Sequence, residues 1–378
     1  MPSTPTSSSS RPAALPAASA PSIPPRSTVH YLVNLLSPLI PLALLLAPAP
    51  LFPFLVKHSL LQFALFTVTA TIPCALTGVM WYVDFAWPWG LFLIGLFTWL
   101  QTQGGGEDFN YRRAIVCGCY ALHGARMGLG AAFIILTGGW TTKKDLPRYE
   151  YQKIRFAHFH PGQTFGMGHQ VFEIYQQCVA NCGILAVPAF LLASNPSRSP
   201  LSLVELLGFG LWVGGWLFES VADGHKLSFA ATNAKLPRES RTPYCNTGLW
   251  HYSRHPNYFG EWLAWCGLCV ASVPSLLSLE LGGSFPPSYA AVAALDPRLS
   301  ELVGGLPAPP STVIRAGLWL VMCLVPLCMY YCLSEWTGAE PAEYFSIQKR
   351  KGYKEYCART NCLVPWFPEK EMKGGKKE

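Results

Sequence analysis

The sequence predicts an all-α fold, a polytopic bundle of transmembrane helices without a Rossmann domain. Only 13% of the 378 residues are charged, whereas a soluble domain carries roughly 25%. Hydrophobic residues make up 51% of the chain, and its mean hydropathy is +0.25. Several uncharged runs reach about 20 residues, the length at which a helix crosses about 30 Å of hydrocarbon. Most of the chain is therefore expected to face lipid or other helices rather than water.

Residues 1–28 are expected to form a disordered tail ahead of the membrane domain. They are mainly Ser, Pro and Ala, with Arg11 and Arg26 and no acid, and such a segment buries too little apolar surface to order itself. Organellar transit peptides are also basic and acid-poor, but the high Pro content disfavours the amphipathic helix that they form. We expect a cytosolic tail here and a second, basic polar tail at residues 369–378.

About eight transmembrane spans are expected in the membrane domain between these tails, at residues 29–368. The apolar runs lie at residues 31–55, 60–83, 85–101, 114–139, 170–193, 201–222, 257–279 and 313–335. Pro residues interrupt the first two runs, which membrane helices tolerate where neighbouring groups satisfy the freed carbonyls.

Lys and Arg concentrate in a few segments, which predicts the orientation of the bundle. The basic segments are residues 140–168, residues 223–256 and the tail after residue 336. The positive-inside rule places them in the cytosol, and with eight spans both termini lie there too. Arg112 and Arg113 are an exception on the far side, which Glu107 and Asp108 offset only in part. The net charge of +7 therefore reflects membrane topology, and no nucleic-acid partner is expected.

The 13 Cys do not indicate a disulfide framework, since most lie in apolar runs, where Cys behaves as a small hydrophobe. Cys266 and Cys269 form a C-x-x-C inside a predicted helix, without the βαβ context of a redox motif. His158 and His160 have no paired Cys or acid at ligand spacing. We therefore expect no metal site.

A polar turn precedes the seventh apolar run. Residues 248–261 read Gly-Leu-Trp-His-Tyr-Ser-Arg-His-Pro-Asn-Tyr-Phe-Gly-Glu. Pro256 disfavours helical geometry at His255, and Asn257 is expected to precede the helix and cap its backbone N–H groups. Glu261 is expected in the first helical turn, at a depth where an acid needs a partner. The mixture of cation, imidazole, amide and phenol suits a nucleotide.

This turn resembles the C-terminal signature of the steroid 5-alpha-reductase superfamily, in particular a branch of poorly characterised bacterial, fungal and algal membrane proteins. Further segments resemble motifs of that branch: Asp84, Trp87 and Gly90 (D-x-x-W-G), Arg126 with Arg148-Tyr149 (W-x-x-R-L…R-Y), Phe172–Pro188 (F-x-x-x-Q…P), Phe218–Asp223 (F-E-x-x-A-D) and the tail at Tyr353–Pro368. His123 departs from the pattern, because an aromatic residue is expected there. The resemblance covers about residues 80–368.

The resemblance implies a reductase at the cytosolic face of the endoplasmic reticulum, which passes hydride from NADPH to an activated C=C bond of a lipid-like substrate. The superfamily binds NADPH without a G-x-G-x-x-G turn, and Gly104–Gly106 is expected to form a flexible loop instead of such a turn. The residues nominated for the cofactor are Arg126, Arg148, Tyr149, Glu219, Asp223, Arg254, Asn257, Tyr258, Lys349, Arg350 and Tyr356. An acid must polarise or protonate the substrate, and the possible acids are Tyr258, His255, Glu261 and Glu173.

Some of these residues also fit structural roles. Arg148 is one of several cations that fit a purely topological role in a basic loop, whereas Arg126 lies in an apolar run and needs a partner or a function. Glu219 and Asp223 share one helix face at i and i+4. They either mark the membrane boundary or, in the case of Asp223, bind cofactor hydroxyls or amides.

Two other functions remain open from the sequence. Isoprenylcysteine carboxyl methyltransferases and phospholipid methyltransferases share the R-H-P-x-Y-x-G turn and use S-adenosylmethionine. The Asn257-Tyr258 and Gly260-Glu261 pairs, with Glu219 and Asp223, favour the reductase. A non-catalytic lipid-binding or transport protein is the third possibility, although sparse intramembrane charge and the lack of an internal repeat disfavour transport. The substrate is not defined by the sequence.

Overall fold

The structure, a computed structural model, describes residues 22–36, 52–101, 110–279 and 311–369. Every regular element within these ranges is a helix, apart from one isolated bridge between Thr141 and Lys144. The helices are α1 (Thr28–Leu36), α2 (Phe52–Thr77), α3 (Val83–Gln101), α4 (Tyr111–Leu136), α5 (Pro147–Phe159), α6 (Met167–Cys182), α7 (Val187–Ala193), α8 (Leu203–Ala234), α9 (Pro256–Ser278), α10 (Ser311–Tyr331), α11 (Ala339–Lys349) and α12 (Tyr353–Arg359). The predicted all-α fold is confirmed for this part of the chain.

Seven spans in the described residues are long and apolar enough to cross a membrane: α2, α3, α4, α6 with α7, α8, α9 and the segment that begins with α10. The chain is therefore an integral membrane protein. Much of the first predicted run, residues 31–55, lies outside the described residues, as do the tails at residues 1–21 and 370–378.

The predicted break between the first two apolar runs is wrong. Helix α2 passes straight through Lys57 and His58. His58 is fully buried, and its Nε2 lies 3.3 Å from the carbonyl oxygen of Asn181. The prediction placed a loop at this polar residue, whereas His58 lies on the face of α2 that packs against α6. Helix α2 then ends at Gly78, whose φ of 76° is the left-handed geometry of a helix C-cap.

Helices α8 and α9 pack antiparallel at close range through small residues. A Cβ on Gly260 would lie 2.6 Å from the backbone nitrogen of Glu219 and 2.7 Å from the carbonyl oxygen of Gly215. Small residues at such an interface allow two membrane helices to approach closely. The approach brings Glu219 of α8 alongside Glu261 of α9.

Helix α8 is longer than the apolar run at residues 201–222 predicts. It continues to Ala234, which is about 18 Å further at 1.5 Å per residue. The extension carries Asp223 and Lys226, so these side chains are held by a helix rather than by a loop. Asn233 fixes its end by exchanging hydrogen bonds with the backbone of Thr242.

Arg112 has a buried partner at the opposite end of the bundle. Its guanidinium donates to both carboxylate oxygens of Glu205, and to the carbonyl oxygens of Ser197, Ser199 and Pro200. Glu205 also completes a capping box with Ser202 at the start of α8. The cation that was an exception to the predicted topology is therefore neutralised within the fold.

The tail folds back across the end of the bundle that carries residues 248–255. The backbone N–H groups of Arg254 and His255 donate to the carbonyl oxygens of Asn361 (2.9 Å) and Cys362 (3.1 Å). Further along, the N–H of Trp366 donates to the carbonyl oxygen of Tyr252 at 2.9 Å. The tail and the polar turn therefore form one unit.

Candidate functional site

The polar turn has the local geometry that Pro256 predicts at His255, with φ −139° and ψ 61°, and α9 begins at Pro256. Two other predictions for the turn are wrong. Asn257 does not precede the helix as a cap, because it lies inside the first turn and its Nδ2 donates to Asp223 Oδ1 at 3.1 Å. Glu261 lies in the second turn and is buried.

The guanidinium of Arg254 is directed at the tail. Nε and Nη2 donate to the two oxygens of Glu343, at 2.7 Å and 3.1 Å, and Nη1 donates to the carbonyl oxygens of Cys357 and Thr360. Glu343 also lies 3.0 Å from Nε2 of His255. Burial lowers the pKa of His255, although the bond to Glu343 opposes the effect. Arg254 was nominated for phosphate. In the structure it lines the cavity, and all three of its guanidinium nitrogens donate to acceptors of the tail, which holds the tail against the turn.

A cavity of about 360 Å³ lies between the polar turn, the extension of α8 and the tail helices. The cations that line it are Arg148, Lys226, Arg254, Lys349 and Arg350. Its aromatic walls are Trp140, Tyr244, Trp250, Tyr258, Phe345, Tyr353 and Tyr356. None of the described residues that line it is acidic. The cavity therefore offers a strongly positive, aromatic environment.

Arg148 is held at the cavity wall by Asp84. Its Nη1 donates to Asp84 Oδ1 at 2.9 Å. The neighbouring Tyr149 is fully buried, and burial together with the nearby Asp84 carboxylate raises the pKa of its hydroxyl well above the usual range. Tyr149, which was nominated for the cofactor, does not line the cavity, whereas Arg148 does. The motifs around Asp84 and Arg148 thus meet in space.

Two other nominated tyrosines lie at the wall. The ring of Tyr258 stacks on that of His255, with centroids 5.2 Å apart. Tyr356 donates to the carbonyl oxygen of Trp250, and burial raises the pKa of its hydroxyl. Glu173, a possible acid, lies elsewhere, because it accepts a hydrogen bond from Trp336 Nε1 at 3.0 Å and does not line the cavity.

A second set of polar side chains continues from the cavity end into the bundle. We call it the buried polar cluster: His123 and Arg126 of α4, Glu219 and Asp223 of α8, and Asn257 and Glu261 of α9. Arg126 contacts Glu219 and donates to Asp223 Oδ2 at 3.1 Å. The partner that an intramembrane Arg126 requires is therefore this pair of acids on one face of α8.

His123 and Glu261 form the deep end of the cluster. Nε2 of His123 lies 3.0 Å from Oε1 of Glu261 and 2.8 Å from Oε2, and both side chains are buried. Trp265, one turn further along α9, donates from Nε1 to Oε1 at 2.7 Å. Glu261, the acid that needs a partner at this depth, therefore has two, His123 and Trp265.

The sequence missed three residues of this region. His123 was noted only as a departure from the aromatic pattern, Lys226 only as part of the basic segment at residues 223–256, and Glu343 not at all. The ammonium of Lys226 lies 4.4 Å from the ring centroid of Trp250 and lines the cavity. A basic residue spaced i, i+3 from Asp223 was the available signal for Lys226, whereas nothing local marks Glu343.

A family model described as "Protein of unknown function (DUF1295)" matches residues 72–287, more than half of the chain. The chain belongs to this family. DUF1295 is part of the steroid 5-alpha-reductase-like group, so the predicted family resemblance is confirmed. The part of the chain matched to DUF1295 contains the polar turn and the whole buried polar cluster. The tail that closes the cavity lies beyond it.

Curated relatives match shorter stretches of this DUF1295 chain. The 3-oxo-5-alpha-steroid 4-dehydrogenase 1 proteins of Macaca fascicularis and Homo sapiens are each 39% identical over 67 residues, which is 18% of this chain and 24% of theirs. The uncharacterized protein C9.08c of Schizosaccharomyces pombe is 29% identical over 104 residues, 24% of this chain and 36% of its own. The chain thus spans between 24% and 36% of the length of these relatives. No solved structure matches it.

Proposed function

We propose that the chain is a membrane reductase that uses NADPH to saturate a C=C bond in a lipid-like substrate, of steroid, enone or enoyl type. The observation that carries the proposal is the positive, aromatic cavity beside the polar turn. The names of the two steroid dehydrogenase relatives support a steroid-like substrate. The basic segments around the cavity support a cytosolic opening, and the endoplasmic reticulum is the proposed membrane.

The residues present fit a phosphorylated dinucleotide. Arg148, Lys226, Lys349 and Arg350 supply charge for phosphate groups, and Arg148 has the planar donor geometry that phosphate prefers. Asn257 Oδ1 is buried and accepts no hydrogen bond from any of the described residues, so it offers an acceptor to a carboxamide or hydroxyl. When bound, NADPH supplies the hydride.

The remaining residues shape the site. Asp84 holds Arg148 at the wall, while Arg254 and Glu343 hold the tail over the turn. Asp223 fixes the amide of Asn257 in one orientation, with Nδ2 as the donor to its carboxylate. A lipid substrate reaches such a site from the bilayer, between helices whose outer faces are apolar.

The test is cofactor binding by the detergent-purified full chain, with NADPH and S-adenosylmethionine titrated in parallel. We expect saturable NADPH binding that Asn257→Ala weakens about tenfold, the effect of losing roughly 1.4 kcal/mol. Asn233→Ala is the control, because Asn233 contacts only the loop at Thr242.

The other outcomes identify the alternatives. Binding of S-adenosylmethionine alone would establish a methyltransferase, and binding of neither would leave a non-catalytic lipid-binding protein. If NADPH binds, measuring the oxidation of NADPH in the presence of enone steroids and of enoyl lipids identifies the substrate class.

A further inference from the structure

The reaction needs a proton as well as a hydride, and two of the nominated acids are engaged with other side chains. His255 lies 3.0 Å from Glu343, and Glu173 accepts a hydrogen bond from Trp336. Tyr258 lines the cavity at the polar turn and stays a candidate. The deep end of the buried polar cluster offers a further acid.

The cluster leads from the cavity end into the membrane. Asn257 and Glu261 lie on one face of α9, one turn apart, as do Asp223 and Glu219 on α8. Going inward from Asn257 along α9, the next polar side chain on that face is Glu261, and His123 lies beyond it. This places His123 deeper in the bundle than the groups proposed to contact the cofactor.

The hydrogen bond to Glu261 defines which atom of His123 is available. Nε2 faces the carboxylate, so it carries the N–H that the carboxylate accepts, and Trp265 holds that carboxylate from the other side. Nδ1 is buried and has no hydrogen-bond partner in the part of the chain that the structure describes. A carboxylate behind one imidazole nitrogen fixes the tautomer and stabilises the ring when the other nitrogen gains a proton.

The surroundings of His123 are apolar apart from the cluster. It borders a hollow of about 10 Å³, room for about one water molecule. The other lining residues are Leu91, Cys119, Tyr120, Trp212, Ala264, Trp265 and Leu268. The charged groups near it are Glu219, Glu261 and Arg126, and the hydroxyl of Tyr120 is engaged with the carbonyl oxygen of Leu185. Nδ1 therefore has no competing protein acceptor among the described residues.

We propose that His123 is the proton donor of the site, acting through Nδ1, with Glu261 as the residue that positions it. The inference rests on the proposed reductase function. Hydride from NADPH adds to one carbon of the C=C bond, and the electron pair of that bond takes the Nδ1 proton at the other carbon. The imidazolium thereby becomes a neutral imidazole and takes up a proton from solvent before the next turnover, so one hydride and one solvent proton are consumed for each C=C bond. NADP⁺ is the oxidised product.

The first test needs no substrate. Nitrogen-15 spectra of [¹⁵N]histidine-labelled protein, with His123→Gln to identify the signal, report which ring nitrogen carries hydrogen. We expect Nε2 to be protonated, and Glu261→Gln to shift that signal. A bare Nε2 facing Glu261 would overturn the proposal, whether or not the chain binds NADPH.

The second test uses the enone or enoyl lipid that the substrate screen identifies. His123→Ala should lower kcat at least 100-fold while changing the NADPH Kd less than twofold, and added imidazole should restore part of the lost rate. Glu261→Gln should lower kcat about tenfold. A purely structural His123 would show no rescue by imidazole, and that result would overturn the proposal. If NADPH does not bind at all, the proposed function fails, and the nitrogen spectra still decide the state of His123.

Discussion

Arg254 and Glu343 are joined by two hydrogen bonds, from Nε to Oε1 at 2.7 Å and from Nη2 to Oε2 at 3.1 Å. This pair connects the polar turn to α11, so the tail is held by charge as well as by backbone pairing. Arg254 therefore keeps the tail in place over the cavity that we propose holds the cofactor.

The first prediction concerns this connection. Glu343→Gln leaves Arg254 without a charged partner in a largely buried position, and we expect a loss of about 3 kcal/mol in the attachment of the tail. Limited proteolysis should then cut residues 337–369 faster than in the wild type. Glu355→Gln, an exposed acid of α12, is the control. Equal cleavage of the two variants would contradict the role of the pair.

The second prediction concerns phosphate binding at the cavity mouth. Lys349 and Arg350 are exposed and line the cavity, and replacing both by Ala should raise the NADPH Kd about tenfold or more. NADH, which lacks the 2′-phosphate, should lose less affinity if these cations face that group. Lys351→Ala with Lys354→Ala removes the same charge from exposed positions that do not line the cavity. If both double variants bind NADPH alike, only overall charge matters.

A third prediction tests whether Asp84 acts through Arg148. Arg148→Lys replaces a planar donor with a point charge, and Asp84→Asn removes the carboxylate that orients it. Each change should weaken NADPH binding. The double variant should show a coupling of about 1 kcal/mol, because the two side chains are in contact. Isothermal titration of the four proteins measures the coupling, and additive effects would show that the two residues act separately.

The fourth prediction concerns the close packing of α8 and α9. Gly260→Ala places a methyl group 2.6 Å from a backbone nitrogen of α8, and overpacking of this kind costs about 1–3 kcal/mol. We expect a lower Tm and weaker NADPH binding, since the helices carry both sides of the buried polar cluster. Gly210→Ala is the matched control, because a Cβ there meets nothing within 4 Å. A Gly260→Ala protein as stable as the control would exclude the proposed packing.

The fifth prediction separates stability from function at the opposite end of the bundle. Glu205→Ala leaves the buried Arg112 without its carboxylate, which should cost about 3–5 kcal/mol. Thermal unfolding in detergent measures the loss. The protein that remains folded should bind NADPH with unchanged affinity, because neither residue lies near the cavity. A changed affinity would indicate coupling between the two ends.

The sequence predicts the fold class and most spans because apolar runs of about 20 residues have few alternatives. It also locates Arg126, Asp223 and Asn257, since polar side chains in or beside apolar runs are costly unless they have partners. The sequence does not show which residue is the partner of each of these polar side chains. Glu205 lies 93 residues from Arg112, and only the folded structure brings the two side chains together.

The same limit applies near the site. Arg254 was nominated for phosphate because a cation in a polar turn suits an anion, and the structure adds Glu343, 89 residues away, as an acceptor that no local signal indicates. Asn257 was expected to cap α9 because Asn often does so, but α9 begins at Pro256, which places Asn257 inside the first turn. Its Nδ2 donates to Asp223 on α8 instead.

The positions of the cavity's lining residues along the chain have a consequence for biosynthesis. Its lining residues come from three separate stretches, at residues 140–148, 226–258 and 337–356. During translation the first two stretches are made while the third is still absent, so the nascent chain has no closed cavity until the segment through Tyr356 has emerged from the ribosome. A stop codon at residue 337 would therefore leave the spans up to α10 in the bilayer without the residues that complete the cavity.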